Sequence, residues 1–181
     1  MSKSLQASRL DVQAFAQAGI PLLASTLLQN MKRLAQEAQA LQPDSTVNWE
    51  ARAELRPGTA AEADVWLHLV ARTSLPLTCQ RCMGTVDTPL DVNQWYRFVA
   101  TEDIAMAEDD QSEEDLLVMA PQFDLLAVLE DELLMALPLV PMHGECPVPA
   151  VMQAGEDALA EPPGDKPNPF AMLAQLKKKG Q

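Results

Sequence analysis

From Val47 the chain alternates, with Val47, Trp49, Ala51, Ala53 and Leu55 separated by Asn48, Glu50, Arg52 and Glu54. A period of two with one apolar side predicts a half-buried strand. Pro57 and Gly58 then make a turn, and Val65 to Thr73 places Val65, Leu67, Leu69 and Ala71 on one face of a second strand. Trp66 and Val70 leave its other face partly apolar. A third strand carries Val86, Leu90, Val92, Tyr96 and Phe98 on one side, and Pro89 within it points to an edge or a bulge. Three neighbouring strands connected this way predict an antiparallel sheet.

Around the strands the period changes to that of helices. Asp11 is placed to cap a short helix through Ala18, with Gly19, Ile20 and Pro21 as its stop. From about Ser25 to Gln39, Leu27, Leu28, Met31, Leu34, Ala35 and Ala38 recur at three- and four-residue spacing, which predicts a second helix. Asp124 caps a third, whose Leu125, Leu126, Val128, Leu129, Leu133 and Leu137 form a broad apolar face. Glu130, Asp131 and Glu132 are expected on its solvated side, and Pro138 and Pro141 end it. Residues 148–166 have the composition of a linker. Asn168 and Pro169 then open a short helix with Phe170, Met172, Leu173 and Leu176, followed by three lysines.

The predicted fold is therefore α+β: an antiparallel sheet of three or more strands packed with N-terminal helices and one helix after an acidic loop. Residues 1–147 form a single domain, and residues 148–181 add the linker and a C-terminal amphipathic basic helix. No internal repeat is evident. The 181 residues are 48% apolar, enough for a globular core rather than a disordered chain. The longest apolar run, Leu133 to Met142, has ten residues and two prolines, short of the roughly 20 that a membrane span needs. No hydrophobic stretch of a secretory signal precedes Asp11, so a cytoplasmic location is expected.

Charge changes the picture in one segment. The formal net charge is −13, yet residues 1–100 are balanced, with 9 basic and 9 acidic side chains. Residues 101–165 hold 17 acids and no base, and the last 16 residues hold four lysines. The densest part, TEDIAMAEDDQSEED at 101–115, is expected to be a mobile acidic loop running to about residue 120. It serves either as a solubilising linker or as a docking surface for a basic protein. Direct phosphate binding requires a local convergence of basic side chains, with Arg52, Arg56, Arg72, Arg81 and Arg97 as candidates.

Candidate chemistry concentrates in the cysteines. Cys79 and Cys82 form a CxxC between predicted strands, and His143 and Cys146 form an HxxC some sixty residues later. Together they offer the three-Cys, one-His set of a structural zinc site. The alternatives are ordinary thiols with a surface histidine, or a redox CxxC pair, although thioredoxin-like sites open a helix within a βαβ unit. His68, mid-strand between Leu67 and Leu69, reads as structural. Nucleophile elbows and phosphate-cradling glycine loops are absent. Trp49, Trp66 and Trp95 look distributed through the sheet, which predicts core packing rather than a stacking surface for bases.

Three segments in order, LTCQRCMGTVDTPLDV, then FDLLAVLEDELLMALPLVPMH with Cys146, then KPNPFAMLAQLKKK, resemble the YceD family of bacterial large ribosomal RNA subunit accumulation proteins. The resemblance covers most of the chain from about Val65. The motif positions are Cys79, Cys82, Glu130, Glu132, Pro138, Pro141, Asn168, Pro169 and Phe170. The resemblance implies a non-enzymatic role in synthesis, processing or stability of 23S ribosomal RNA, with no membrane and no small-molecule substrate. The partner would be pre-ribosomal 23S RNA or a basic large-subunit ribosomal protein. On that reading Arg81, Arg97, Lys177, Lys178 and Lys179 would face RNA. Asp109, Asp110, Glu113, Glu114, Asp115 and Phe170 would face a protein. The competing functions are an acidic holding factor for a basic ribosomal protein without RNA contact, and a thiol redox protein.

Overall fold

Two 15-residue strands, β3 (Asp64–Thr78) and β4 (Thr85–Val99), pair antiparallel over almost their whole length. Their alternation puts Val65, Leu67, Leu69 and Ala71 of β3 and Leu90, Val92, Tyr96 and Phe98 of β4 on one buried face. β2 (Thr46–Arg56) adds on the other side of β3, and β1 (Leu22–Leu27) pairs with β2, both antiparallel. A short β5 (Asp115–Val118) joins β4 in parallel, giving one sheet in the order β1-β2-β3-β4-β5. This computed structural model describes residues 6–58 and 63–147. They belong to a unit spanning Met1–Pro147, and the expected linker and C-terminal helix lie outside the described residues.

Helices cover the apolar face of the sheet. α1 (Val12–Ala18) starts on the Asp11 carboxylate, which accepts from Ala14 N at 3.0 Å, and ends on Gly19 in the left-handed conformation at φ 61°. α4 (Leu125–Met135) starts on Asp124 and buries Leu125, Leu129 and Leu133. Phe15, Leu34 and these three leucines complete a core with Trp49, Leu67, Leu69 and Tyr96. Leu10 and Phe123 exchange two backbone hydrogen bonds, which tie the N-terminal segment to the start of α4.

The strands expected at 47–56, 65–73 and 86–98 are present, and β3 runs on to Thr78. Among the described residues Pro89 sits on an edge, because β5 pairs only with Tyr96–Val99 and no other described strand lies beside the earlier part of β4. The single helix expected at 25–39 is not formed. Its first part is β1, its middle is a 3-10 turn at Leu28–Asn30, and only α2 (Lys32–Glu37) is helical. Pairing with β2 overrides the local helical spacing, and the Trp49 indole N–H donates to Thr26 Oγ1 at 2.9 Å.

The segment expected to be a mobile acidic loop contains regular elements. It contains α3 (Glu102–Glu108), a 3-10 turn at Asp109–Gln111, and β5. The physical reason is Arg97, whose side chain is only 14% exposed. Its guanidinium donates to Glu114 at 2.7 Å, to Glu108 at 2.8 Å and to Ser112 at 3.0 Å, and lies 3.9 Å from Asp64. One central cation thus offsets the repulsion expected among the acids.

Glu130 is a second correction, since it does not belong to a solvated face. Its side chain is 13% exposed and accepts from Arg33 N at 2.7 Å and Leu34 N at 3.2 Å, supplying the cap that Met31 cannot give α2. The Arg33 guanidinium grips the same carboxylate and also Asp131. Burial raises the Glu130 pKa, but the two amides and Arg33 outweigh it and hold the carboxyl below its ordinary range.

Glu130 therefore contributes stability that is complete above its ordinary value of about 4.5 and is lost as pH falls through its lowered folded value. Glu130→Gln is expected to lower unfolding stability at neutral pH by about 1–2 kcal/mol and to flatten the acid limb of the stability profile, measured by urea unfolding across pH. Arg97→Ala is expected to remove amide-exchange protection from residues 102–118 while β2 and β3 stay protected, measured by hydrogen exchange.

Candidate metal centre

Beyond Arg72, β3 has no β2 partner, and β3 and β4 continue as a two-stranded ribbon. Its tip is the turn Cys79–Gly84. Cys79 N donates to Gly84 O at 2.8 Å and Met83 N donates to Cys79 O at 2.9 Å, folding the CxxC into a knuckle. Met83 takes the left-handed conformation at φ 59°, the one non-glycine among the described residues to do so. The ribbon is steadied from the side by Gln39 N, which donates to Pro76 O at 2.8 Å.

The second half of the centre comes from the chain after α4. Pro138 and Pro141 forbid helix continuation, and the strap they direct crosses the knuckle, where Gln80 N donates to Pro141 O at 2.9 Å. His143 and Cys146 thereby meet Cys79 and Cys82. The four donor atoms lie within 4.8 Å of one another. Cys79 Sγ stands 3.9 Å from Cys146 Sγ, and Cys82 Sγ stands 3.5 Å from His143 Nδ1. Zinc–sulfur bonds of about 2.3 Å and zinc–nitrogen bonds of about 2.0 Å in a tetrahedron give edges of about 3.8 and about 3.5 Å, so both separations fit one shared ion.

The surroundings suit ligation. His143 Nε2 lies 2.9 Å from Thr85 O, so an N–H there donates to the carbonyl and leaves Nδ1 as the free donor atom for a metal. His143 N also donates to Cys79 Sγ at 3.5 Å. Burial disfavours the Cys79 thiolate, yet backbone N–H groups of Cys82, His143 and Arg81 outweigh it and bring its pKa down to about 5. Burial and the neighbouring sulfurs of Cys82 and Cys79 push Cys146 up to about 11. All three cysteines are unpaired as disulfides. The group could hold a metal ion.

The remaining candidate residues are scattered. Arg81 is exposed at the knuckle tip, whereas Arg97 is enclosed by carboxylates. Glu114 is bound to Arg97, Asp115 accepts from Gln94, and Asp109, Asp110 and Glu113 are exposed. Phe170, Lys177, Lys178 and Lys179 lie outside the described residues. His68 is structural as expected, stacked on Trp95 at 4.3 Å and bonded to Asn93 at 2.7 Å. Trp49 is in the core, but Trp66 and Trp95 are not: they meet edge-to-face at 6.3 Å on the opposite face of the sheet. Their even and odd positions relative to Leu67 and Tyr96 were the available signal. No helix among the described residues is long and apolar enough to cross a membrane.

Residues 67–177 match the family described as large ribosomal RNA subunit accumulation protein YceD. Over 108 residues the chain is 43% identical to the protein of that name from Haemophilus influenzae, an alignment covering 57% of this chain and 60% of the relative. The chain thus aligns with about three fifths of that relative's length. No solved structure matches it. Because that match spans more than half of the chain, and takes in α4 and both halves of the Cys/His group, the chain belongs to the YceD family.

Proposed function

We propose that this chain is a non-enzymatic assembly factor of the large ribosomal subunit, acting in the cytoplasm to support accumulation of 23S ribosomal RNA. The observation that carries this reading is the family match over 67–177. Within it, Cys79, Cys82, His143 and Cys146 hold a structural zinc ion that locks the tip of the β3–β4 ribbon to the strap after α4. The sulfur–sulfur and sulfur–nitrogen separations support zinc over a thiol couple, because Cys79 has Cys146 as its hydrogen-bonding sulfur and both halves of the centre supply donors. A zinc ion there supplies crosslinking energy and no redox chemistry.

Among the described residues, Arg81 at the exposed tip is available to RNA, and Asp109, Asp110 and Glu113 are available to a basic ribosomal protein. The acidic holding factor is the second reading, favoured by the 17 acids and no base between residues 101 and 165.

Purified without added metal, the protein is expected to carry about one zinc per chain by elemental analysis, with Cys146→Ser losing it and melting at a lower temperature. In Haemophilus influenzae deleted for its own relative, the wild-type chain is expected to restore the ratio of 23S to 16S RNA. Cys79→Ser with Cys82→Ser is expected to restore it less. An unchanged ratio on expressing the wild-type chain contradicts the assembly reading. Restoration that survives substitution of residues Asp109, Asp110 and Glu113 by Asn or Gln contradicts the acidic holding factor.

A further inference from the structure

The face of the sheet opposite the core carries a cluster that the reading above leaves without a role. On β3 it shows Trp66, His68, Val70 and Arg72, on β4 Asp91, Asn93, Trp95 and Arg97, and on β2 Asn48, Glu50, Arg52, Glu54 and Arg56. Registered neighbours bring the rings together: His68 lies opposite Trp95 and stacks on it with planes 8° apart. The Arg56 guanidinium carbon lies 4.3 Å from the Trp66 ring and 4.2 Å from the Trp95 ring.

These arginines differ from those that hold the fold. Arg33 and Arg97 engage terminal guanidinium nitrogens as well as Nε in bonds to carboxylates. Arg52, Arg56 and Arg72 each give only Nε to a neighbouring carboxylate, of Glu50, Glu54 and Asp91, and their terminal nitrogens bond to no described residue. Such arginines are aimed by one contact and keep donors for another molecule. The side chains of Arg52 and Arg72 are 64% and 78% exposed.

Beside the rings runs a groove of about 380 Å³ lined by Trp66, Trp95, Arg56, Asn93, Gln94 and the acids Glu113 and Glu114. Glu114 is committed to Arg97, but Glu113 is exposed and makes no hydrogen bond or ion pair to a described residue. Aromatic and guanidinium planes stack on bases, free guanidinium nitrogens suit phosphates, and amides with a carboxylate suit a base edge. The aliphatic side chains of this face, Val70 on β3 and the exposed Leu23 on β1, line a separate hollow with Asn48, Glu50 and Arg72 and not the groove beside the rings.

We propose that this groove binds an unstacked base of single-stranded RNA, with guanine preferred. The inference rests on the RNA reading of the assembly function and names its contact surface. The base stacks on the part-exposed Arg56 guanidinium that the Trp66 and Trp95 rings hold in place, and Arg52 and Arg72 contact flanking phosphates. Glu113 accepts hydrogen bonds from the base edge, and guanine alone presents two adjacent N–H donors to a single carboxylate, at N1 and N2.

The test is tryptophan fluorescence quenching of the full chain by single-stranded RNA: an oligouridine and the same oligomer with one central guanine. The guanine oligomer is expected to quench and to bind about tenfold more tightly than oligouridine. Trp66→Ala and Trp95→Ala should each weaken it by about tenfold, and Trp66→Phe, which keeps a ring, should retain most of the binding. Glu113→Gln should equalise the two oligomers, and Arg52→Ala with Arg72→Ala should reduce the salt dependence. Far-ultraviolet circular dichroism checks that each variant is folded.

Unchanged affinity in folded tryptophan variants, or a wild-type chain that binds no oligomer, overturns the proposal. If such variants still restore 23S RNA in cells, only the groove is refuted and the assembly reading stands. If the tryptophan variants bind RNA normally but lose a basic ribosomal protein, the face is a protein-docking surface and the proposal is likewise overturned.

Discussion

The pairing of β3 with β4, from Val65 opposite Phe98 to Thr78 opposite Thr85, is the constraint on which the other features depend. Side chains alternate with a period of two, so the register decides every facing at once. A slip of one residue would bring Trp66, His68 and Arg72 to the core and expel Leu67, Leu69 and Ala71. The same register delivers Cys79 and Cys82 to the ribbon tip, beyond the end of β2, where a strap from α4 can reach them. Burial of Leu67, Leu69, Tyr96 and Phe98 under α4 and the N-terminal helices therefore also fixes where the Cys/His centre at the ribbon tip stands.

Charge is handled in two distinct ways. Arg33 and Arg97 neutralise carboxylates that would otherwise repel, and each fastens a segment: Arg33 joins α2 to α4 through Glu130, and Arg97 gathers α3 and the turn before β5. Without a central cation the acids of residues 102–115 would favour an extended chain. The arginines on the uncovered face serve no such purpose, since each meets one carboxylate on the sheet surface, where such pairs contribute little to stability.

What was legible in the sequence follows from the range of the interactions. The alternation from Val47 and from Val65 reports burial on one face and needs no distant partner, so β2, β3 and β4 were readable, as were the caps Asp11, Gly19 and Asp124. β1 was not, because Leu27, Leu28, Met31 and Leu34 have helical spacing and only the edge of β2 makes Leu22–Leu27 a strand. α3 and β5 were hidden for a related reason: the charge that orders them sits on Arg97, outside the acidic run. Glu130 looked like one of three exposed acids until α2 was packed against it. The donor set of the Cys/His centre was readable as composition, whereas its convergence depended on where Pro138 and Pro141 send the chain. The facing of Trp66 and Trp95 was present in the parity of their positions, but their contact required the register.

If the ribbon tip and the strap are joined by one ion, that ion sees three sulfurs and one imidazole nitrogen. X-ray absorption at the zinc edge of the purified protein measures this directly. Three sulfurs at about 2.3 Å and one nitrogen at about 2.0 Å are expected, with one sulfur lost in Cys146→Ser. A shell of oxygen and nitrogen alone, or a wild-type protein without zinc, would contradict the clamp.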